Sequence, residues 1–155
     1  MVDEKQLLLQ QLRSTDETAR ELATERLWQL WFGAAGPEAE QRLIYGEQLF
    51  EQKQWQKAEA ALSALIQDRP DFAEAWNRRA TLRYLQNRYR ASLDDCRETV
   101  RLEPEHFGAW HGMALCLVAI RDYAQAARAA RRALEIQPFT ESNQNLLADC
   151  LAKLN

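Results

Sequence analysis

Three prolines, Pro70, Pro104 and Pro138, stand at equal intervals, and the residues around them repeat with the same step. Trp76 returns as Trp110, Ala75 as Ala109, Ala80 as Ala114 and Leu102 as Ile136. Tyr89 returns as Tyr123, with Trp55 one period earlier. A fixed period of about 34 residues means a stack of like units, each burying on the next an apolar face it cannot cover alone. Within a unit the apolar residues follow helical spacing in two runs, separated at Gln86-Asn87-Arg88 and at Arg121-Asp122. The proline closes the second run, because its ring and missing N–H cannot continue the hydrogen-bond ladder. Composition agrees with helix throughout: Ala, Leu, Glu, Gln and Arg dominate, and only 5 glycines are present.

These residues resemble the tetratricopeptide repeat over residues 39–155. The unit from Ala39 carries Gly46, Trp55, Ala58, Leu62, Leu65 and Pro70 at the family's positions. The unit from Ala73 has Trp76, Ala80, Tyr89, Leu93 and Pro104, with Ser92 in place of a small alanine and Arg83 where an aromatic is common. The unit from Phe107 has Trp110, Ala114, Tyr123, Ala126, Ala133 and Pro138. The resemblance implies an all-α fold, a right-handed superhelical stack of helix hairpins over 39–72, 73–106 and 107–140. A lone first helix at 141–154, with the polar start Thr140 to Gln144, would cap the stack. The runs from Pro70 and from Leu102 are further similar to a group of small bacterial and plastid tetratricopeptide proteins whose roles are mostly unassigned.

Residues 1–38 do not follow the repeat, yet Leu7, Leu8 and Leu12, then Ala19, Leu22, Ala23, Leu27 and Leu30, have helical spacing. Two helices are expected. Ser14-Thr15-Asp16-Glu17 reads as a capping box starting the second near Thr15. Gly33-Ala34-Ala35-Gly36-Pro37 breaks the chain before the repeats. Trp28, Trp31 and Phe32 crowd the end of the second helix, and the expectation is that they pack on the first hairpin as an N-terminal cap. The alternative is an exposed cluster that recruits a partner or a second copy.

Catalytic and cofactor chemistry is not expected. No phosphate loop, dinucleotide fingerprint, nucleophile elbow or H-E-x-x-H occurs. His106 and His111, the two histidines, would lie about 140° apart round a helix and cannot form a metal pair on one face. His106 falls in a turn between units and is expected to be exposed. Asp94, Asp95, Glu103 and Glu105 read as solvated faces and turns. Gly108 and Gly112 imply close helix packing or an open groove. Cys96, Cys116 and Cys150 have no disulfide or zinc spacing and read as reduced core thiols. Seven arginines between residues 78 and 101 raise nucleic acid as a ligand. They are divided between two helices and a turn, and the whole chain is acidic, net −3. Up to Trp76 the chain carries 14 acidic and 8 basic side chains, and beyond it 9 and 12. No apolar run approaches the roughly 18 residues of a membrane span, and no leader is evident, so a soluble cytoplasmic protein is expected.

The resemblance implies an interaction module whose first helices line a concave groove for a protein or peptide. Carried over position by position, the lining is Leu43, Glu47 and Phe50 from the first unit and Asn77, Arg78, Thr81 and Tyr84 from the second. The third offers His111, Leu115 and Val118, and the terminal helix Asn145 and Asp149. Co-chaperone members grip a C-terminal carboxylate with lysine, asparagine and arginine side chains. Here Leu43, Glu47, Arg78, Gly108 and Gly112 stand at those positions, so that grip is not expected. Two readings remain open: an adaptor or assembly factor holding a partner in the groove, and a structural module whose N-terminal helices fill the groove or pair in a homodimer.

Overall fold

A computed structural model describes residues 1–155 as nine α-helices without a strand. Helices α1 (Glu4–Gln11) and α2 (Glu17–Phe32) precede three hairpins: α3 (Pro37–Glu51) with α4 (Trp55–Asp68), α5 (Ala73–Leu85) with α6 (Tyr89–Leu102), and α7 (Phe107–Ala119) with α8 (Tyr123–Ile136). Helix α9 (Glu141–Leu154) follows the last hairpin. Helices α5, α7 and α9 start one repeat period apart, as do α4, α6 and α8.

Inside each hairpin the two helices meet at a small residue. A Cβ on Gly46 would come within 3.0 Å of Leu62, and Ala80 and Ala114 are buried at the equivalent positions. Ala148 is exposed, because α9 has no second helix to cover it. Each hairpin turn places one residue in the left-handed region, and these residues keep the period: Lys53 (φ 59°), Asn87 (62°) and Arg121 (63°). The turns between hairpins are periodic too. The indole N–H of Trp76 donates to Pro70 O (3.0 Å) and that of Trp110 to Pro104 O (2.7 Å). In the terminal helix Gln144 has replaced the tryptophan and still donates to Pro138 O (2.9 Å).

The two departures of the middle unit from the family pattern are explained by burial of polar groups. Ser92 donates to Ala80 O across the hairpin (2.6 Å) and accepts from the Cys116 thiol (3.2 Å). Arg83, where an aromatic is common, joins Arg79 on the buried carboxylate of Asp95, at 3.1 and 2.8 Å, and also reaches Glu59 (2.8 Å). Asp95 is therefore no solvated face residue, since two guanidinium groups compensate its desolvation. All three cysteines are buried and unpaired.

The start of α2 differs from a capping box. Asp16, not Ser14, is the cap, accepting from Thr18 N (3.0 Å), while Ser14 Oγ accepts from Asp16 N (3.1 Å) one step earlier. The break after α2 is made at Gly36, whose φ of 93° only glycine adopts readily, followed by Pro37 in the first turn of α3.

A left-handed conformation costs a non-glycine residue about 1–2 kcal/mol. Glycine at Lys53 or Arg121 removes that strain and gives back part of it as unfolded-chain entropy. Lys53→Gly and Arg121→Gly are each expected to raise stability by up to about 1 kcal/mol. Thermal and denaturant melts of the single and double variants check this, and Asn87→Gly should gain least because asparagine tolerates the conformation best.

Candidate partner-binding groove

Helices α3, α5, α7 and α9 present equivalent positions side by side, so the expected lining falls in rows spaced by the repeat. One row is Glu47, Thr81, Leu115 and Asp149; another is Phe50, Tyr84 and Val118. The structure brings Asn77, Thr81, Tyr84, His111 and Leu115 together around a pocket of about 210 Å³ between α5 and α7. Its floor is Ala80, Ser92, Cys96, Gly108 and Gly112. A smaller hollow of about 40 Å³, with Glu47, Phe50, Arg78 and Thr81 around Gly46 and Leu62, adjoins it between α3 and α5. Thr81 borders both.

Other expected residues lie elsewhere. Leu43 is fully buried in the core of the first hairpin. Val118 packs against the C-terminal core and lines neither hollow. Asn145 and Asp149 are exposed on α9. The floor residues Ser92 and Cys96 come from α6, and their part in the pocket follows from what is missing opposite them. A Cβ on Gly112 would lie 3.4 Å from Cys96 Sγ, so glycine there leaves the thiol facing the pocket. Two larger hollows, about 360 and 350 Å³, run along the seam between α1–α2 and the turns beside α8. They are shallow and bordered by side chains of both charges, as a seam between packed elements is.

The N-terminal segment does not cap the first hairpin. It lies along the edge formed by the inter-hairpin turns, with Lys5 on Glu103 (2.7 Å), Arg13 on Glu135 O and Arg20 over the Phe139 ring. Leu12, Ala23, Leu27 and Trp31 form one buried cluster with Phe107 and Ile136 of the third unit. Trp28 is edge-on to Trp31, His106 and Phe107. The reason is room: at Gly108 a Cβ would stand 2.5 Å from the Trp28 ring, so only glycine admits the indole there. Phe32 alone of the aromatic trio packs on the first hairpin.

This packing decides the state of Arg78. Its guanidinium lies over the rings of Trp28 (5.6 Å) and Phe32 (5.4 Å) and pairs with Glu47 (2.6 Å) and Glu74 (2.7 Å). Arg78 is thus a strut between α5, α3 and α2 rather than an open fork.

His106 is buried rather than exposed. Its Nδ1 accepts from Ala109 N (3.0 Å), capping α7, so the proton sits on Nε2 and is given to Glu74 (2.7 Å). Trp31 stacks on the ring at 4.2 Å. The second histidine makes a like contact one unit on: His111 Nδ1 meets Asn143 Oδ1 at 2.6 Å. Burial would raise the proton affinity of the Glu74 carboxyl, but His106, Arg78 and Asn77 outweigh it and hold Glu74 below the ordinary glutamate range. Of the seven arginines between 78 and 101, six are ion-paired within the chain: Arg78, Arg79, Arg83, Arg88, Arg97 and Arg101. They do not form a free phosphate-binding surface.

The fold and its periodic pattern make the chain a tetratricopeptide-repeat (TPR) protein. It is 37 % identical over 111 residues to a TPR repeat-containing protein of Rhizobium etli, a match covering 70 % of this chain and 54 % of that one. The chain therefore spans about half the length of that relative. No protein-family model matches it. Among solved structures it is similar to the first TPR of Spaghetti (RPAP3) bound to the HSP90 peptide SRMEEVD, with TM-score 0.72 and 19 % identity over 75 % of this chain and 92 % of that one. It is also similar to the Sgt2 TPR domain from Aspergillus fumigatus, with TM-score 0.70, 18 % identity and coverages of 76 % and 80 %. The TPR2B domain of yeast Sti1, in its complex with pHsp70, gives 0.68, 20 %, 74 % and 97 %. No helix is long and apolar enough to cross a membrane.

Gly108→Ala is expected to expel Trp28 and cost about 1–3 kcal/mol, the usual penalty of overpacking. Gly112→Ala meets its neighbour at an ordinary contact distance and gains helix propensity, so it should be neutral or stabilising. Denaturant melts with tryptophan emission compare the two.

Because the folded Glu74 carboxyl is held below 4.5, the stability it contributes is present above that pH and is lost as pH falls through the folded value. The melting temperature of the wild type should therefore drop more steeply below pH 4.5 than that of Glu74→Gln.

Proposed function

We propose that the chain is a non-catalytic adaptor or assembly factor of the cytoplasm that holds a peptide or helix of a partner protein in the concave groove. The observation that carries this is the pocket between α5 and α7. Thr81, Tyr84 and Leu115 stand around a floor left open at Gly112, in a fold whose RPAP3 example is bound to an HSP90 peptide and whose Sti1 example is in a complex with pHsp70. Three unpaired thiols suit a reducing compartment.

The grip on the partner differs from a carboxylate clamp. Leu43 is buried, Glu47 is acidic, Arg78 is neutralised by two glutamates, and Gly108 and Gly112 have no side chain to offer. A second reading has its own support: α2 already places Trp28 against Gly108 and Arg78, so the N-terminal helices narrow the groove from its inter-hairpin edge. Leu7 and Leu22 of that segment, and Ile44 and Tyr45 of α3, remain exposed and give a second copy something to bury.

Leu115→Trp fills the pocket without touching the core, since Leu115 is only half-buried. It should abolish capture of the native partner from host extract while leaving the melting temperature within a few degrees of wild type. Arg78→Ala is expected to lower stability as well as binding, because it releases Glu47, Glu74 and two aromatic rings together. Retained capture by Leu115→Trp, with loss in Trp28→Ala, would move the contact to the N-terminal segment. A dimeric mass in solution that Ile44→Asp converts to a monomer would favour the homodimer.

A further inference from the structure

The groove carries an excess of carboxylate over cation. Helix α3 brings Glu47, with Glu51 one turn further on, and α9 brings the exposed Asp149 at the position equivalent to Leu115. Helix α7 contributes no acidic or basic side chain apart from His111, which is held by Asn143. Most cations of these helices are spent or turned away: Arg42 pairs with Asp68 on α4, Arg79 and Arg83 with Asp95 on α6, and Arg78 is shared between Glu47 and Glu74, while Lys153 stands exposed near the end of α9, one turn beyond Asp149. At Glu47 burial is the main cause that raises the proton affinity; Arg78 opposes it, and the charges of Glu74 and Glu51 add to it. Between these acidic ends the surface is apolar and small, Tyr84 and Leu115 beside a pocket with room for one aliphatic side chain.

We propose that the groove takes a basic, aliphatic segment of the partner: one aliphatic side chain enters the pocket beside Leu115, and lysine or arginine side chains on either side lie toward Glu47–Glu51 and Asp149. The inference rests on the groove reading above and specifies its chemistry. An acidic C-terminal tail is the wrong charge for the α3–α5 end of this surface, because it would bring a carboxylate toward Glu47, where Arg78 is already shared by two glutamates. Charge complementarity of this kind acts on both partner choice and association rate, and is screened over about 8 Å at physiological ionic strength.

The test is selection of a random-peptide phage library on the immobilised full chain, with Leu115→Trp and Glu47→Lys as counter-targets. The expected result is enrichment of sequences combining lysine or arginine with leucine, valine or isoleucine. Synthetic copies should lose binding on Leu115→Trp, weaken about ten-fold or more on Glu47→Lys, and weaken several-fold on raising salt from about 50 to about 300 mM. Because Glu47→Lys also disturbs Arg78, Asp149→Lys on the exposed face of α9 gives an independent readout and should weaken the same peptides. Enrichment of acidic or uncharged peptides that Leu115→Trp still blocks would overturn the charge assignment and leave the groove reading standing. Peptides indifferent to Leu115→Trp, or no enrichment over the bare support, would overturn both.

Discussion

Every hairpin of this chain depends on two helices approaching at a residue with little or no side chain. At Gly46 the Leu62 side chain occupies the space a Cβ would need, and Ala80 and Ala114 repeat the contact. Close approach lets Ala58, Ser92 and Ala126 sink into the same layer and leaves each hairpin with one uncovered side, which the next hairpin buries. The stack is thus held by nearest neighbours, and the groove is its by-product: the first helices line up because the hairpins do. Where the succession stops, α9 keeps the small residue, Ala148, with nothing to receive it.

The middle unit shows how far the pattern bends. Arg83 and Ser92 put polar groups into positions that packing alone would give to an aromatic and an alanine. Arg79, Arg83, Asp95 and Glu59 answer one another, and Ser92 bridges Ala80 O and Cys116. Removing one partner of such a buried set typically costs about 3–5 kcal/mol, whereas the intact set contributes little net stability. Its effect is to tie α4, α5 and α6 in one register beneath the groove pocket.

The hairpins were legible because their determinants are local or strictly periodic: proline at the ends, small residues at the contacts, aromatics in the gaps. The site was legible only in part. Thr81, Tyr84 and Leu115 follow from position in the repeat, but Leu43 and Val118 occupy groove positions by count and face the core by packing. The burial of His106 and Trp31 depends on a segment outside the repeat docking on the third unit, and no periodicity reports that. A finer periodic signal does lie in the sequence. Glu74 meets His106, and His111 meets Asn143, each pair separated by one period less two. Neighbouring first helices therefore touch at that offset, and a polar residue with a complementary partner there is a candidate for a buried inter-unit bond.

Trp28 and Gly108 bind the non-repetitive start of the chain to its repeats through a vacancy. The indole occupies the space that any side chain at position 108 would claim. Neither residue can drift alone: enlarging 108 requires the indole to leave, and shrinking 28 leaves a hollow over glycine that a larger residue is free to fill. Related chains should therefore inherit the two together or lose them together. A comparison of descendants would show an aromatic at 28 with glycine at 108, and where the aromatic is gone, the return of an ordinary side chain at the start of the third hairpin.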